Sequence, residues 1–212
     1  KAIRQQADIE AAVAREVRLS VAQRVSDAAK GTATMREQAM IQEQVNASVA
    51  DGLVPAERAA EILRRDIDDY ARLLTLEMGK LLSEAKAEVA LSADIFAYYA
   101  SHAAALLAAE PLPVADPAEG QAELVCEPLG VLLAIEPWNF PYYQIARIIA
   151  PQLSAGNTML LKHASNVPQS AARFEALMLV AGLPKGGFTN LYATRDQVSR
   201  ILHDPRVHGV AL

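Results

Sequence analysis

Residues 127–141 read EPLGVLLAIEPWNFP, and this segment decides the predicted fold. Its apolar run from Val131 to Ile135 predicts a buried strand, and the two prolines that enclose an aromatic and an amide end that strand. Two interpretations are open. The segment is either a plain junction between a strand and a helix, or a turn that presents Asn139 to a substrate.

After this segment the sequence alternates between short apolar runs and amphipathic stretches. We predict strands at 131–136, 158–162, 188–192 and 207–212, separated by helices at about 142–154, 168–181 and 195–204. Strands and helices that alternate at this spacing predict an α/β fold, in which helices cover both faces of a parallel sheet. The last strand ends with the sequence, so we expect the sheet to continue past residue 212.

Before this segment the sequence is predicted to be helical almost throughout its first 110 residues. Apolar residues recur at every fourth position from Ile9 to Val25, a second helix is predicted over 35–50, a third over 56–78, and an alanine-rich one up to Glu110. A turn-rich connector then covers 111–121, and a β-ribbon is predicted near 122–128.

Composition excludes several classes of protein. The net charge of −5 argues against nucleic acid as a main partner, because phosphate binding needs basic patches. No run of about twenty uncharged apolar residues is available to span a membrane, and the first residues do not form a secretory signal. The single cysteine, Cys126, cannot form an internal disulfide, so we expect a cytoplasmic protein.

Four motifs follow one another in a fixed order: TLEMGK at 75–80, the segment at 127–141, SAGNTMLLKHAS at 154–165 and AGLPKGGFTNL at 181–191. In their order and spacing they resemble the aldehyde dehydrogenase superfamily over roughly residues 55–212. Within that superfamily the sequence is most similar to the succinate-semialdehyde dehydrogenases. Residues 1–54 do not resemble the family's usual N-terminal part.

The resemblance implies a Rossmann-like domain that binds NADP or NAD and takes part in the oxidation of an aldehyde. It divides the chain into a helical lead-in (1–54), helices of the cofactor-binding domain (55–110), a connector with a ribbon (111–130) and incomplete βαβ units (131–212). The family's catalytic cysteine and general-base glutamate would lie beyond Leu212. We therefore expect the 212-residue chain to be inactive alone.

The resemblance assigns Asn139 to the oxyanion donor, which also gives one answer to the role of the two prolines. A neutral amide donates a hydrogen bond without titrating, so it suits a position where negative charge develops on oxygen. Pro137 and Pro141 restrict the backbone on either side and would orient the amide in advance. The resemblance also implies that Pro137, Trp138 and Asn139 line the coenzyme.

The resemblance places further coenzyme contacts at Lys162, Ala164 and Ser165, and it leaves open whether His163 contacts the coenzyme or only packs. Lys162 ends a strand at the carboxyl edge of the sheet, where its ammonium group can meet ribose hydroxyls or a phosphate. Ser165 stands where many NAD-preferring relatives carry a glutamate. A hydroxyl can donate to a 2′-phosphate that a carboxylate would repel, which favours NADP without excluding NAD.

The remaining candidate residues are expected to be structural. Cys126 alternates with Leu124 on one face of the predicted ribbon, so we interpret it as a structural thiol. The four histidines show no ligand spacing, and no metal site is predicted. The resemblance implies that the ribbon joins subunits into a homodimer or homotetramer. One alternative function stays open, that of a non-catalytic assembly protein on a degenerate dehydrogenase scaffold.

Overall fold

The computed structural model describes residues 53–113, 120 and 122–212. The helix predicted from the apolar stripe between Ile9 and Val25, and the helix predicted over 35–50, lie outside these residues. Most of the predicted connector, at 114–119 and 121, lies outside them as well.

Within the part of the chain that the structure describes, three helices precede the sheet: α1 at residues 53–65, α2 at Ile67–Met78 and α3 at Leu82–Leu106. The single helix predicted over 56–78 is therefore interrupted. The interruption falls at Asp66, whose backbone (φ −106°, ψ 26°) leaves the helical region and whose carboxylate pairs with Arg65. The Asp66 carboxylate accepts from the Arg65 guanidinium at 2.7 and 2.8 Å and makes no capping hydrogen bond to the first turn of α2.

The tight connection between α2 and α3 depends on Gly79. This residue adopts a left-handed conformation with φ 74°, and its N–H donates to the carbonyl of Thr75 at 3.0 Å. Glycine adopts this conformation without the steric penalty that a Cβ would bring. As a result α3 begins only a few residues after α2 ends, and Lys80 lies in the bend between them.

The β-ribbon differs from its prediction. Strand β1, Glu110–Leu112, pairs antiparallel with β2, Ala122–Leu124, so the strand partner comes from the end of the predicted helix and the start of the predicted connector. Pairing between strands overrides the helical preference of the alanine-rich segment. β2 ends at Leu124, hence Cys126 is exposed beyond the strand and its predicted place on the ribbon is wrong.

The predicted strands and helices that follow are confirmed, with ends that lie within two residues of those expected. The strands are β3 (Val131–Glu136), β4 (Thr158–His163), β5 (Phe188–Asn190) and β6 (Val207–Ala211), and the helices are α4 (Pro141–Ser154), α5 (Pro168–Val180) and α6 (Arg195–Leu202).

These four strands form one parallel sheet in the order β5-β4-β3-β6. Counted from β3, this is the order 3-2-1-4 with which the doubly wound fold begins. α4 and α5 cover one face, and the right-handed crossover from β5 through α6 to β6 places α6 on the other. All four strands point the same way, so the turns that follow them meet at one edge.

The helices that precede the sheet form a second layer outside α4 and α5. Phe96 of α3 contacts Phe174 of α5 with ring centroids 5.9 Å apart, and both are fully buried. Burial of a side chain of this size stabilises the fold by about 1.5–3 kcal/mol. The layer lies across the beginnings of α4 and α5. None of the described helices is long and apolar enough to cross a bilayer.

Candidate functional site

A cleft of about 220 Å³ lies at the carboxyl edge of the sheet, where β4 and β5 end. It brings together the predicted residues Lys162, His163, Ala164 and Ser165 with the residues that follow β5. The described residues that line it are Lys162–Ser165, Pro168, Ala171 and Asn190–Thr194.

The cleft has a one-sided charge distribution. Among the described residues that line it, Lys162 is the only one with a formal charge, since the histidine beside it is neutral, and none of them is a carboxylate. Lys162 is half-buried and Ser165 is exposed, so an ammonium group and a hydroxyl are both within reach of a ligand. The side chains of Thr194 and Tyr192 add further hydroxyls. This set of groups suits a phosphorylated sugar and disfavours a cation.

His163 is occupied by contacts inside the protein. Its Nδ1 accepts from the N–H of Ala164 at 2.8 Å, which assigns the ring proton to Nε2, and Nε2 donates to the carbonyl of Pro141 at 3.0 Å. Burial lowers the pKa of the imidazole and keeps it neutral. Both ring nitrogens are thus in use, and His163 joins β4 to the beginning of α4.

The second group of predicted residues lies outside the cleft. Pro137, Trp138 and Asn139 form an exposed turn after β3, which we call the 137–140 turn, and none of them lines the cleft. The register pairs Glu136 with His163, so the 137–140 turn starts next to the end of β4. The structure therefore places the two groups at neighbouring strand ends and leaves them separate.

Side chains that come from elsewhere in the chain hold the 137–140 turn. The Nζ of Lys80 donates to the backbone carbonyl of Asn139 at 3.0 Å and lies 3.8 Å from the ring centroid of Phe140. The same Nζ forms an ion pair with Glu88. The ammonium group of Lys80 thus links the bend between α2 and α3 to Asn139.

Glu88 also holds the first turn of α4. Its Oε1 accepts from the N–H of Tyr142 at 2.8 Å and from that of Tyr143 at 3.2 Å. These amides are among the first four of the helix, which have no partner within it, and a carboxylate there also interacts favourably with the helix dipole. The side chains of Lys80 and Glu88 are 7% and 1% exposed. Charges so deeply buried persist when they are paired and hydrogen-bonded, as these are.

A second carboxylate holds the beginning of α5 in the same way. Glu77 accepts from the backbone N–H groups of Gln169 and Ser170, each at 2.7 Å, and from the Ser170 hydroxyl at 2.6 Å. Helix N-termini are common anion sites. Because Glu77 and Glu88 already fill those of α5 and α4, these two helices do not offer a phosphate site.

Sequence reasoning missed Lys80, Glu77 and Glu88 as site residues. The signal was present, because Glu77 and Lys80 belong to the motif TLEMGK, but we used that motif only for the resemblance. The contacts of Lys80 and Glu88 with the 137–140 turn and α4 span more than fifty residues, and no local pattern reveals them.

A third carboxylate at this edge of the sheet is held differently. Glu136 is buried at the end of β3, and among the described residues neither of its oxygens has a hydrogen-bond partner. One of its oxygens forms an ion pair with the guanidinium of Arg147 at 3.6 Å. Burial raises the pKa of this carboxyl to about 7, although Arg147 acts in the opposite direction.

An open parallel sheet in the order 3-2-1-4, with a cleft at its carboxyl edge, defines the doubly wound α/β class to which dinucleotide-binding domains belong. The match to a protein-family model identifies the family within this class. The model of the aldehyde dehydrogenase family matches residues 5–212, and the chain belongs to that family. The match reaches into residues 5–54, which we had expected to lie outside the family.

Individual relatives agree with this assignment. The chain is 48% identical to the succinate-semialdehyde dehydrogenase [NADP(+)] of Deinococcus radiodurans over 155 residues, which are 73% of this chain and 32% of that protein. It is 49% identical to the corresponding enzyme 1 of Mycobacterium ulcerans over 157 residues, 74% of this chain and 34% of that protein. The chain thus spans about a third of the length of these curated relatives.

A solved structure shows the same likeness. The succinic semialdehyde dehydrogenase from Streptococcus pyogenes, in complex with NADP+ as the cofactor, is 44% identical to the chain. It superposes with a TM-score of 0.72 over 84% of this chain and 40% of that one.

Proposed function

We propose that this chain forms the coenzyme-binding part of an enzyme that oxidises an aldehyde to the carboxylic acid with NADP+ or NAD+. The observation that carries the proposal is the cleft that contains Lys162 and Ser165 at the end of the second strand of a 3-2-1-4 sheet. Family membership and the names of the relatives support succinate semialdehyde as the substrate.

The position of the cleft supports the choice of ligand. In the doubly wound fold, the residue that reads the ribose 2′ position follows this second strand, and it is acidic in domains that bind NAD. Here that segment contains an ammonium group and a hydroxyl, with no carboxylate among the described residues of the lining. Lys162 and Ser165 would hold the ribose and its 2′-phosphate, with Ala164 and His163 beside them, which favours NADP+.

For the chemical step we propose that Asn139 is the oxyanion donor. Attack of a thiolate on the aldehyde carbon places negative charge on the oxygen, and a positioned amide N–H stabilises that charge. The exposed position of Asn139 in the 137–140 turn leaves its carboxamide accessible. Pro137 and Trp138 would contact the coenzyme from the same turn. When bound, the coenzyme supplies the hydride acceptor.

The only cysteine of the chain is not a suitable nucleophile. Cys126 is exposed after β2, on the side of β3 from which the chain enters the sheet, whereas the 137–140 turn follows β3. We propose that the nucleophilic cysteine and the general-base glutamate come from sequence beyond Leu212. The 212-residue chain would then bind coenzyme without oxidising aldehydes.

Calorimetric titration of the chain with NADP+ tests the role of the cleft. We expect Lys162→Ala to weaken binding by about tenfold or more, because a charge-assisted contact with a phosphate is lost. Lys185→Ala removes an exposed lysine from the turn before β5, at the opposite edge of the sheet, and should leave the affinity unchanged. Equal affinities for the wild type and Lys162→Ala would remove Lys162 from the site.

Ser165→Glu tests how the cleft selects its ligand. A carboxylate at this exposed position repels a 2′-phosphate but accepts a hydrogen bond from a 2′-hydroxyl. We therefore expect Ser165→Glu to weaken NADP+ more than NAD+, measured as the ratio of the two dissociation constants. An unchanged ratio would contradict a role for Ser165 in that choice.

The complete product of the gene tests the reaction itself. We expect it to reduce NADP+ in the presence of succinate semialdehyde, and we expect Asn139→Ala to lower kcat by about 10²–10³, the cost of one oxyanion donor. A complete product that folds and binds coenzyme, yet oxidises no aldehyde, would favour the alternative of a non-catalytic assembly protein.

The β1–β2 ribbon supports a proposal about assembly. Leu112 and Leu124 are exposed on this short ribbon, and the apolar side chains of Val125 and Leu129 are exposed just after it. We propose that the ribbon contacts a second subunit in a cytoplasmic homodimer or homotetramer. Light scattering of the complete product should show two or four subunits, and Leu124→Glu should reduce that number.

A further inference from the structure

We propose that Lys80 and Glu88 are positioning residues that fix the direction of the Asn139 carboxamide. The geometry points to this because the ammonium group of Lys80 bonds the backbone carbonyl of Asn139 itself and is held in turn by Glu88. The inference rests on the proposed oxyanion role of Asn139, and its test separates the two.

The two prolines cannot fix the 137–140 turn by themselves. Pro137 and Pro141 restrict their own φ angles, but three residues between them keep free backbone torsions. Three contacts from outside constrain those torsions: the Lys80 bond to the carbonyl of Asn139, the Lys80 contact with the ring of Phe140, and the His163 bond to the carbonyl of Pro141. Of these, the Lys80 bond acts on the residue that carries the carboxamide.

The buried pair is well suited to hold a fixed geometry. Each partner makes contacts beyond the ion pair, since Glu88 also bonds two amides of α4 and Lys80 also bonds the turn. The two side chains therefore connect the turn before α4 to the first residues of α4. Removal of Lys80 would free the carbonyl of Asn139 while α4 keeps its own cap.

The first experiment uses the 212-residue chain. Trp138 is its only tryptophan and lies in the 137–140 turn, so time-resolved fluorescence anisotropy reports the motion of this turn without a label. We expect Lys80→Met to raise the amplitude of the fast local motion about twofold or more, because the turn loses its anchor. An unchanged amplitude would overturn the proposal.

The matched control is Lys86→Met. Lys86 also lies at the α2–α3 pair and forms an ion pair with Asp68 at 2.6 Å, but both partners are exposed and neither bonds the 137–140 turn. We expect this variant to leave the anisotropy of Trp138 unchanged. An equal rise in both variants would mean that the effect is general loosening of the fold.

A second variant keeps the test valid if Lys80→Met destabilises the chain. Lys80→Met combined with Glu88→Gln leaves no uncompensated buried charge and retains an oxygen that can accept from Tyr142. We expect this double variant to recover the thermal midpoint that Lys80→Met loses, while the motion of Trp138 stays high. Recovery of both the midpoint and the rigid turn would contradict the role of Lys80.

The second experiment is a double-mutant cycle in the complete product of the gene, with aldehyde oxidation as the readout. We expect Lys80→Met to lower kcat by about tenfold or more with little change in the aldehyde KM, because a small misplacement of a catalytic group is costly. In the Asn139→Ala background the same change should cost less than about twofold, since no carboxamide is left to position.

The outcomes of the cycle separate the two claims. If Asn139→Ala leaves kcat unchanged, the proposed oxyanion role fails. If Asn139→Ala lowers kcat but Lys80→Met costs the same factor in both backgrounds, the oxyanion role stands and the positioning inference fails. Lys86→Met serves again as the control and should leave both kcat and KM unchanged.

Discussion

The beginnings of α4 and α5 are built alike but are held differently. Each helix has a proline in its first turn, and each receives a carboxylate from the α2–α3 pair, Glu88 for α4 and Glu77 for α5. Glu88 is buried and shares an ion pair with Lys80, which continues to the 137–140 turn. Glu77 is half-buried and accepts from the first residues of α5. Of these two caps, the Glu88 cap of α4 is therefore the one that is connected, through Lys80, to the candidate site residue Asn139.

The largest effect is expected at the coupled cap. Glu88→Ala leaves the ammonium group of Lys80 buried without its partner and deprives two amides of α4 of their acceptor. We expect the chain to lose about 3–5 kcal/mol of unfolding free energy, the range for a buried pair that loses one partner. Urea denaturation monitored by circular dichroism measures this loss.

The control for this prediction is Asp94→Ala. Asp94 lies on the same helix and pairs with Arg64 at 2.7 Å, but both side chains are exposed. An exposed pair contributes about 0–1 kcal/mol, so this variant should change the stability little. A loss below about 1 kcal/mol for Glu88→Ala would show that the buried pair does not hold this region.

The next largest effect is expected at Glu136, a buried carboxylate that caps no helix. The pKa of Glu136 is raised to about 7 in the folded chain, above the ordinary value of 4.5. Its contribution to stability is therefore fully present below pH 4.5 and is lost as the pH rises towards 7. We expect Glu136→Gln to remove this loss and to be the more stable protein at pH 8, by up to about 3 kcal/mol.

Denaturation of both proteins between pH 5 and 8 measures this difference directly. Taking the difference cancels the titration of His163, the neighbour of Glu136 in the sheet register, and of other groups that the two proteins share. Curves that stay parallel from pH 5 to 8 would contradict the raised pKa.

The smallest effect is expected at the uncoupled cap. Glu77→Ala removes the acceptor of two amides and one hydroxyl at the beginning of α5, and loss of a helix cap costs about 1–2 kcal/mol. We expect Trp138 to keep its local motion in this variant, because Glu77 does not bond the 137–140 turn. A loss of stability as large as that of Glu88→Ala would erase the difference between the two caps.

Much of the fold follows from local patterns in the sequence. The elements from Val131 onward were predicted because short apolar runs alternate with amphipathic stretches, and such patterns are visible within ten residues. Of the β-ribbon, only the part near 122–128 was predicted. Strand β1 at Glu110–Leu112 was missed because it depends on a partner ten or more residues away. The break at Asp66 was also missed, because the helical pattern of the sequence continues on both sides of it.

Of the candidate site, too, only part could be predicted from the sequence. The locations of Lys162 and Ser165 at a strand end followed from the predicted strand, and both residues line the cleft there. The anchoring of Asn139 could not be predicted from the sequence. The prolines beside Asn139 are visible there, but Lys80, which bonds its carbonyl, lies 59 residues away. A buried charge pair also contradicts the usual surface position of lysine and glutamate, so pattern reasoning assigns both to solvent.

Amide hydrogen exchange at the beginnings of α4 and α5 tests whether Lys80 and Glu88 form a fixed anchor. The first amides of a helix have no partner within it and normally exchange fast. If Glu88 and Lys80 form a fixed anchor, the amide of Tyr142 should exchange about tenfold or more slowly than that of Gln169, whose cap is half-buried. A Tyr142 amide that exchanges as fast as the Gln169 amide would show that Glu88 and Lys80 do not form a fixed anchor.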